Sequence, residues 1–254
     1  MDQAKLLWRF YLLAFVISWV GMVPLLLRWP GRIWLFGLVF PGVGPAIAAW
    51  LVDRRTFLAF RIRLPWQWIM LAVAVPPILI LLGNRASLFL QPLKKAVAPP
   101  VGGWHLLTLI AMALAANIWE ETGWRCCGLR RLQKMYRPWI AAGIVGVLWA
   151  AWHVPLFLWP GMGMQRYPFA WWSLSAMGTS TVLAWLWNRT GGSVWGVTLY
   201  HVTSNISGAA FGVQSYRSKA IVDCVAAGAL ILCTRGWLGL ATPEQASGIR
   251  RDAM

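Results

Sequence analysis

The chain has 254 residues, of which 59% are hydrophobic and only 12% are charged, and it carries a formal net charge of +16. This composition excludes a soluble globular domain of this length and indicates an integral membrane protein. Helices are the expected secondary structure, because open sheet edges leave backbone groups unpaired in lipid.

Apolar runs long enough to cross a bilayer recur along the whole sequence, since one span needs about 20 residues. They predict an all-α bundle of about eight transmembrane helices in a single integral-membrane domain, residues 1–254. Seven helices are the alternative, because the third run is short and contains Pro76 and Pro77. The first run is too long for a signal-peptide core, and we expect it to be retained. The predicted spans are 6–27, 33–52, 67–83, 104–124, 139–159, 169–187, 193–212 and 219–238.

The basic residues between the spans predict an orientation. With the N-terminus in the cytoplasm, thirteen lysines and arginines fall in inner segments and eight in outer segments. The positive-inside rule then places both termini of a multi-pass protein of the cell (plasma) membrane in the cytoplasm. The same residues are spread over short loops, which favours anionic lipids as partners and argues against nucleic acid.

Two of the seven acidic residues, Glu120 and Glu121, stand side by side near the end of the fourth predicted span. A carboxylate at membrane depth costs roughly 3 kcal/mol, so the pair indicates a functional site. On a helix Glu121 and Arg125 are four residues apart and pair, whereas Glu120 points about 100° away. We therefore expect an ion pair at Glu121 and a cavity-facing general base or acid at Glu120. The alternative is that both glutamates only pair with arginines and lock helices together.

The segment that follows the glutamates, residues 128–139, is basic and ends near Pro138. Two placements are open for it. It either continues the fourth helix to the cytoplasmic surface or lies along that surface.

Three polar residues stand isolated in later apolar runs. His153 follows Pro138 by 15 residues, which gives it a depth similar to that of Glu120, so we expect a shared cavity. His201 and Asn205 are four residues apart and project from one helix face, where their N–H groups could donate to a developing oxyanion. The alternatives are a buried core histidine at position 153 and plain hydrogen bonds between helices at positions 201 and 205.

Together these residues form three motifs in order: EExxxR at Glu120, Glu121 and Arg125, an aromatic-xxx-His motif at Trp149 and His153, and HxxxN at His201 and Asn205. In this pattern the chain resembles the CPBP intramembrane proteases. That family contains the type II CAAX prenyl endopeptidases and bacteriocin-processing or self-immunity proteins. The family usually has Phe where Trp149 stands, and the bulkier ring changes the expected shape of the cavity. The matching region, residues 104–212, is the predicted catalytic core.

The resemblance implies a CAAX-type endopeptidase of the glutamate type, which needs no cofactor. Its substrate would be a membrane-tethered peptide or protein, with a prenylated C-terminus as the family's best-known target. By position, Glu120 would activate water with the help of His153, and His201 with Asn205 would stabilise the oxyanion. The supporting residues would be Glu121, Arg125 and Trp149.

Three rival hypotheses remain open. In a metal-dependent version of the protease, Glu120, His153 and His201 would form a zinc site, although no HExxH spacing exists. A non-catalytic membrane scaffold or immunity protein is disfavoured by the intact motifs. A transporter or proton relay would use the same buried groups, but no inverted repeat is visible. The adjacent Cys126 and Cys127 lack the CxxC spacing of a thiolate metal site and are expected to be buried thiols.

Overall fold

A computed structural model describes residues 3–27, 33–54, 64–90, 103–158 and 163–241. This part of the chain is a helical bundle without strands, which confirms the predicted all-α fold. The helices are α1 (Gln3–Leu26), α2 (Ile33–Val52), α3 (Trp66–Leu90), α4 (Trp104–Glu121), α5 (Pro138–Trp152), α6 (Val154–Leu158), α7 (Phe169–Arg189), α8 (Val194–Phe211) and α9 (Tyr216–Cys233).

Every predicted span coincides with a helix, and the fifth corresponds to α5 and α6 together. The third run forms a helix of 25 residues in spite of its two prolines, so the short length that suggested the alternative of seven helices is not observed. Within the described residues, three segments are long and apolar enough to cross a membrane: Gln3–Pro24, Trp66–Leu90 and Pro138–Leu158. The number of membrane crossings therefore stays a prediction.

The predicted orientation also stays a prediction. Part of the basic residues that support it lie outside the described residues: Arg28, Arg32, Arg55, Arg61, Arg63, Lys94, Lys95, Arg250 and Arg251. The surface of the bundle agrees with a membrane protein, because it exposes large apolar side chains such as Trp8, Trp66, Trp104 and Leu232. A soluble monomer rarely exposes so many.

The prolines of α2 are accommodated by close packing against α1. Pro45 has no N–H to donate to the carbonyl of Pro41, one turn earlier. The hydroxyl of Ser18 on α1 takes its place and donates to that carbonyl across 2.8 Å. Gly44 allows this approach, because a Cβ at that position would overlap the Ser18 side chain.

Beyond Glu121 the fourth helix widens into a π-helix, Thr122–Leu129, followed by a short turn of α-helix, Arg130–Leu132. The segment thus continues the fourth helix as far as Leu132, whereas its position relative to the cytoplasmic surface stays a prediction. Trp124 in the π-helix is fully buried and packs edge-on against Phe10 of α1 and Trp152 of α5. Gly123 packs directly against Pro45, and a Cβ at position 123 would overlap the proline. Helix α2 and the π-helix are therefore in direct contact at this point.

Helices α3 to α9 surround a cavity. Helix α9 packs against α7 and α3, α8 packs against α3 and α4, and α5 packs against α7. Asn84 of α3 fixes the connection between α8 and α9, since its amide donates to the carbonyl of Gly212 and accepts from the N–H of Gln214, both across 3.0 Å.

Candidate active site

The buried centre of the site is the carboxylate of Glu121, which contacts two cationic or polar partners. The Nη1 group of Arg125 donates to Glu121 Oε1 across 3.3 Å, and Arg125 Nε lies 3.2 Å from Oε2. Both side chains are completely buried. The predicted ion pair is therefore present, and its burial fits the rule that buried charges are paired.

The same carboxylate binds the third motif. Nδ1 of His201 lies 2.8 Å from Glu121 Oε1. An ionised carboxylate only accepts hydrogen bonds, so Nδ1 carries the proton and Nε2 is the ring atom left for other contacts. The sequence did not predict this bond, because spacing within one helix carries no information on contacts between α4 and α8.

Glu120 has a hydrogen-bond partner on α5 that the sequence analysis did not predict. The indole Nε1–H of Trp149 donates to its Oε2 across 3.2 Å, and the residue is 7% exposed. No donor to Glu120 Oε1 is found in the part of the chain that the structure describes. One carboxylate oxygen is thus held in place, and the other is left for a ligand or a water molecule.

His153 stands where α5 ends. Pro155 cannot donate to the carbonyl of Ala151, and the helix turns at His153. The ring Nδ1 of His153 lies 2.7 Å from the carbonyl of Trp149. Because a carbonyl only accepts, Nδ1 is the protonated atom, and in the neutral ring Nε2 is an acceptor. The broken end of the helix therefore fixes both the position and the tautomer of this histidine.

Aromatic rings hold the two histidines in place. The Trp149 ring packs edge-on against His153 and His201, with centroids 5.4 and 5.1 Å away. Trp152 and Trp172 contact His153 from other sides, at 4.7 and 4.8 Å. Trp149 therefore connects the second motif to the first through its N–H and to the third through its ring.

A cavity of about 630 Å³ opens beside these residues. The sequence-predicted residues in its wall are Trp149, His153, His201 and Asn205. Glu120 is not part of the wall. However, the α4 residues that line the cavity, Leu109, Met112, Ala113 and Ala116, form one helix face, and Glu120 follows Ala116 by one turn on that face.

The predicted residues differ in their exposure. Glu121 and Arg125 are fully buried and Glu120 is nearly so, whereas Asn205 is exposed. The sequence analysis missed Trp172, which contacts His153 and lines the cavity. A single aromatic residue in a chain with 20 tryptophans gives no signal that would single it out.

The zinc alternative required Glu120, His153 and His201 to converge. Among the described residues, no group of three His, Cys, Asp or Glu side chains is arranged to hold a metal ion. Metal dependence itself is a matter for experiment, and a chelator tests it directly. Cys126 and Cys127 are buried thiols, as expected.

Comparison with known families gives a match for the segment that carries the site. Residues 102–207 match the sequence model of a family described as type II CAAX prenyl endopeptidase Rce1-like. The matched segment contains all three motifs, from Glu120 to Asn205. The family predicted from the motifs is thereby confirmed for this part of the chain. A comparison with curated proteins gives no match.

Proposed function

We propose that this chain cuts a peptide bond near the C-terminus of a membrane-tethered substrate. Residues 102–207 of the chain match the family described as type II CAAX prenyl endopeptidase Rce1-like. The observation that carries the proposal is the shared cavity. Its wall combines Trp149, His153, His201 and Asn205, and a buried carboxylate, Glu120, adjoins it through Trp149.

Glu120 is the general base in this proposal. Its Oε1 accepts a proton from a water molecule, and the resulting hydroxide attacks the scissile carbonyl carbon. His153 assists, because its Nε2 accepts a hydrogen bond from the same water while Nδ1 stays bonded to the Trp149 carbonyl. Glu120 then gives the proton to the departing amine, which leaves the enzyme in its starting state.

His201 and Asn205 stabilise the negative charge on the former carbonyl oxygen. The two side chains lie one turn apart on α8 and both line the cavity. The side-chain NH2 group of Asn205 donates to this oxygen without any change of protonation. Because Nδ1 of His201 is engaged by Glu121, His201 donates from Nε2 in its doubly protonated form. Such preorganised donors contribute about 3–4 kcal/mol in other acyl-transfer enzymes.

Glu121 and Arg125 position the reacting groups. Glu121 orients the imidazole of His201, and Arg125 compensates the charge of Glu121. The guanidinium of Arg125 also lies 5.2 Å from the centre of the Trp149 ring, which adds a cation–π contact. The substrate we propose is a peptide with a prenylated cysteine near its C-terminus, since lipid attachment delivers it to a membrane-embedded cavity.

The function is tested by incubating the purified, detergent-solubilised protein with two synthetic peptides. The peptides share one sequence and differ only in a prenyl group on the cysteine. Mass spectrometry of the products identifies the bond that is cut. We expect cleavage of the prenylated peptide at one position close to its C-terminus. Equal cleavage of both peptides would argue against a prenylated substrate, and no cleavage of either would argue against the proposed function.

A further inference from the structure

A second polar group lies in the wall of the same cavity, away from the three motifs. It consists of Ser175 of α7 and of Lys219 and Asp223 of α9. Lys219 Nζ donates to Ser175 Oγ across 2.8 Å and to Asp223 Oδ2 across 2.6 Å. Ser175 Oγ in turn donates to Asp223 Oδ2. Ser175 and Lys219 line the cavity, whereas Asp223 is buried behind them.

This arrangement leaves one donor of Lys219 for a ligand. An ammonium group has three N–H bonds, and Ser175 and Asp223 accept two of them. No third acceptor is found among the residues that the structure describes. Because Lys219 is part of the cavity wall, a ligand in the cavity can accept the third N–H.

A serine beside a lysine also invites comparison with a catalytic nucleophile, but the geometry does not favour it. An ammonium in an ion pair has no lone pair with which to accept the hydroxyl proton of Ser175. That proton already forms a hydrogen bond with Asp223. Ser175 and Asp223 instead hold the Lys219 side chain at a fixed position.

The charge of the cavity wall indicates the sign of the ligand. Besides Lys219 it contains Arg166, and none of the described lining residues is an aspartate or a glutamate. Two hydroxyl donors, Tyr167 and Tyr216, lie in the same wall with their rings 4.5 Å apart. Asp223 compensates the charge of Lys219, so Arg166 gives the wall a net positive charge, which favours an anion. Hydrogen bonds from charged donors are about twice as strong as neutral ones.

We propose that Lys219 and Arg166 bind the α-carboxylate of the substrate's C-terminal residue. This inference rests on the proposed function, because it places the bond to be cut and the terminal carboxylate in one cavity. A cavity of about 630 Å³ is of the size that holds a ligand of a few residues. Binding of the terminal carboxylate would fix the number of residues between the cut bond and the chain end.

The test measures binding, so that it does not depend on turnover. A fluorescently labelled, prenylated peptide is prepared with either a free C-terminal carboxylate or a C-terminal amide. Its affinity is measured by fluorescence anisotropy for the Glu120→Gln protein, in which cleavage is expected to be blocked. We expect the acid to bind at least tenfold more tightly than the amide.

The same ratio is then measured after adding Lys219→Met together with Asp223→Asn, a pair of changes that leaves no unpaired buried charge. We expect the preference for the acid to fall severalfold, because only Arg166 then remains to bind the carboxylate, while the affinity for the amide stays unchanged. Lys219→Arg should retain part of the preference. Arg217→Met is the matched control, because Arg217 is exposed, stacks on Trp171 and is not among the described cavity-lining residues.

Equal affinity for acid and amide in the Glu120→Gln protein would overturn the inference, and so would a preference of undiminished size after Lys219→Met and Asp223→Asn are added. Failure of the proposed function gives a different result. In that case the acid preference is present, but the wild-type protein cuts neither peptide.

Discussion

Nδ1 of His201 lies 2.8 Å from Oε1 of Glu121, although 80 residues separate them in the chain. This contact joins the first motif on α4 to the third motif on α8, and Arg125 completes it from the next turn of the fourth helix. Glu121 therefore connects α4 to α8, whereas the neighbouring Glu120 follows the cavity-lining residues of α4 by one turn on the same helix face.

Replacing Glu121 by Gln tests the structural role of this connection between α4 and α8. The substitution keeps the shape of the side chain but leaves the guanidinium of Arg125 buried without its counter-charge. Removing one partner of a buried ion pair costs about 3–5 kcal/mol. We expect a large fall in the unfolding temperature of the detergent-solubilised protein, followed by intrinsic tryptophan fluorescence, together with loss of cleavage.

Asp53→Asn is the matched control for Glu121→Gln. Asp53 pairs with Arg131 across 2.6 Å, but its side chain is 34% exposed. Partly exposed pairs contribute only about 0–1 kcal/mol. An equal loss of stability in the two variants would contradict the role assigned to Glu121.

The contact between Gly123 and Pro45 gives a second prediction. A Cβ on Gly123 would overlap the backbone and ring of Pro45, and in a closely packed interior such overlap costs about 1–3 kcal/mol. We expect Gly123→Ala to lower the unfolding temperature and the yield of folded protein. Gly143→Ala on α5 should be neutral or stabilising, because no neighbouring atom lies within 4 Å of an added Cβ and Ala is the better helix former. Similar behaviour of the two variants would show that α2 and the π-helix are not in contact.

The fold was predictable because it depends on local composition. Runs of about 20 apolar residues predict helices wherever they occur, and the starts and ends of α2 and α7 follow the predicted limits closely. The π-helix at Thr122–Leu129 was not predictable. It arises where Gly123 and Trp124 pack against α1 and α2, and contacts between distant segments leave no periodic trace in the sequence.

Trp149 stands where the family usually has Phe, and Trp149→Phe is the third prediction. The change removes the N–H that binds Glu120 and leaves space that a water molecule can fill as the replacement donor. We expect cleavage to stay within tenfold of wild type, since the remaining ring still packs against both histidines. Trp149→Ala, which removes that packing, should lower kcat by more than tenfold.

Trp172→Phe is the control for Trp149→Phe, because Trp172 also lines the cavity and packs against His153. It should leave activity nearly unchanged. Trp149→Phe could instead abolish cleavage as completely as the loss of Glu120. In that case the indole N–H itself is required for catalysis, and the prediction that a water molecule replaces it as donor is wrong.

The oxyanion role proposed for Asn205 gives the fourth prediction. Asn205→Ala removes one donor to a charge that exists only in the transition state, so kcat should fall by about 10²–10³ with little change in KM. Ser204→Ala changes the neighbouring residue in the same cavity wall and should have little effect. A rise in KM without a fall in kcat would assign Asn205 to substrate binding instead.

Contacts within one helix of the site were predictable from the sequence, whereas contacts between helices were not. The Glu121–Arg125 pair follows from helical spacing, and the burial cost of an unpaired charge makes it necessary. The bond between Trp149 and Glu120 joins two helices, and only their packing determines it. The sequence analysis missed Lys219 and Arg166 as cationic residues of the cavity wall. Arg166 precedes α7 and Lys219 lies in the first turn of α9, so only the packing of the helices brings both to one cavity.

The most direct test of the account is cleavage of the prenylated peptide by wild-type protein and by Glu120→Gln, each with and without a strong chelator. We expect wild-type cleavage to survive the chelator and Glu120→Gln to be inactive in both conditions while remaining folded. Wild-type cleavage that the chelator abolishes would establish a metal-dependent protease. Full activity of Glu120→Gln would contradict the central claim that Glu120 activates the attacking water.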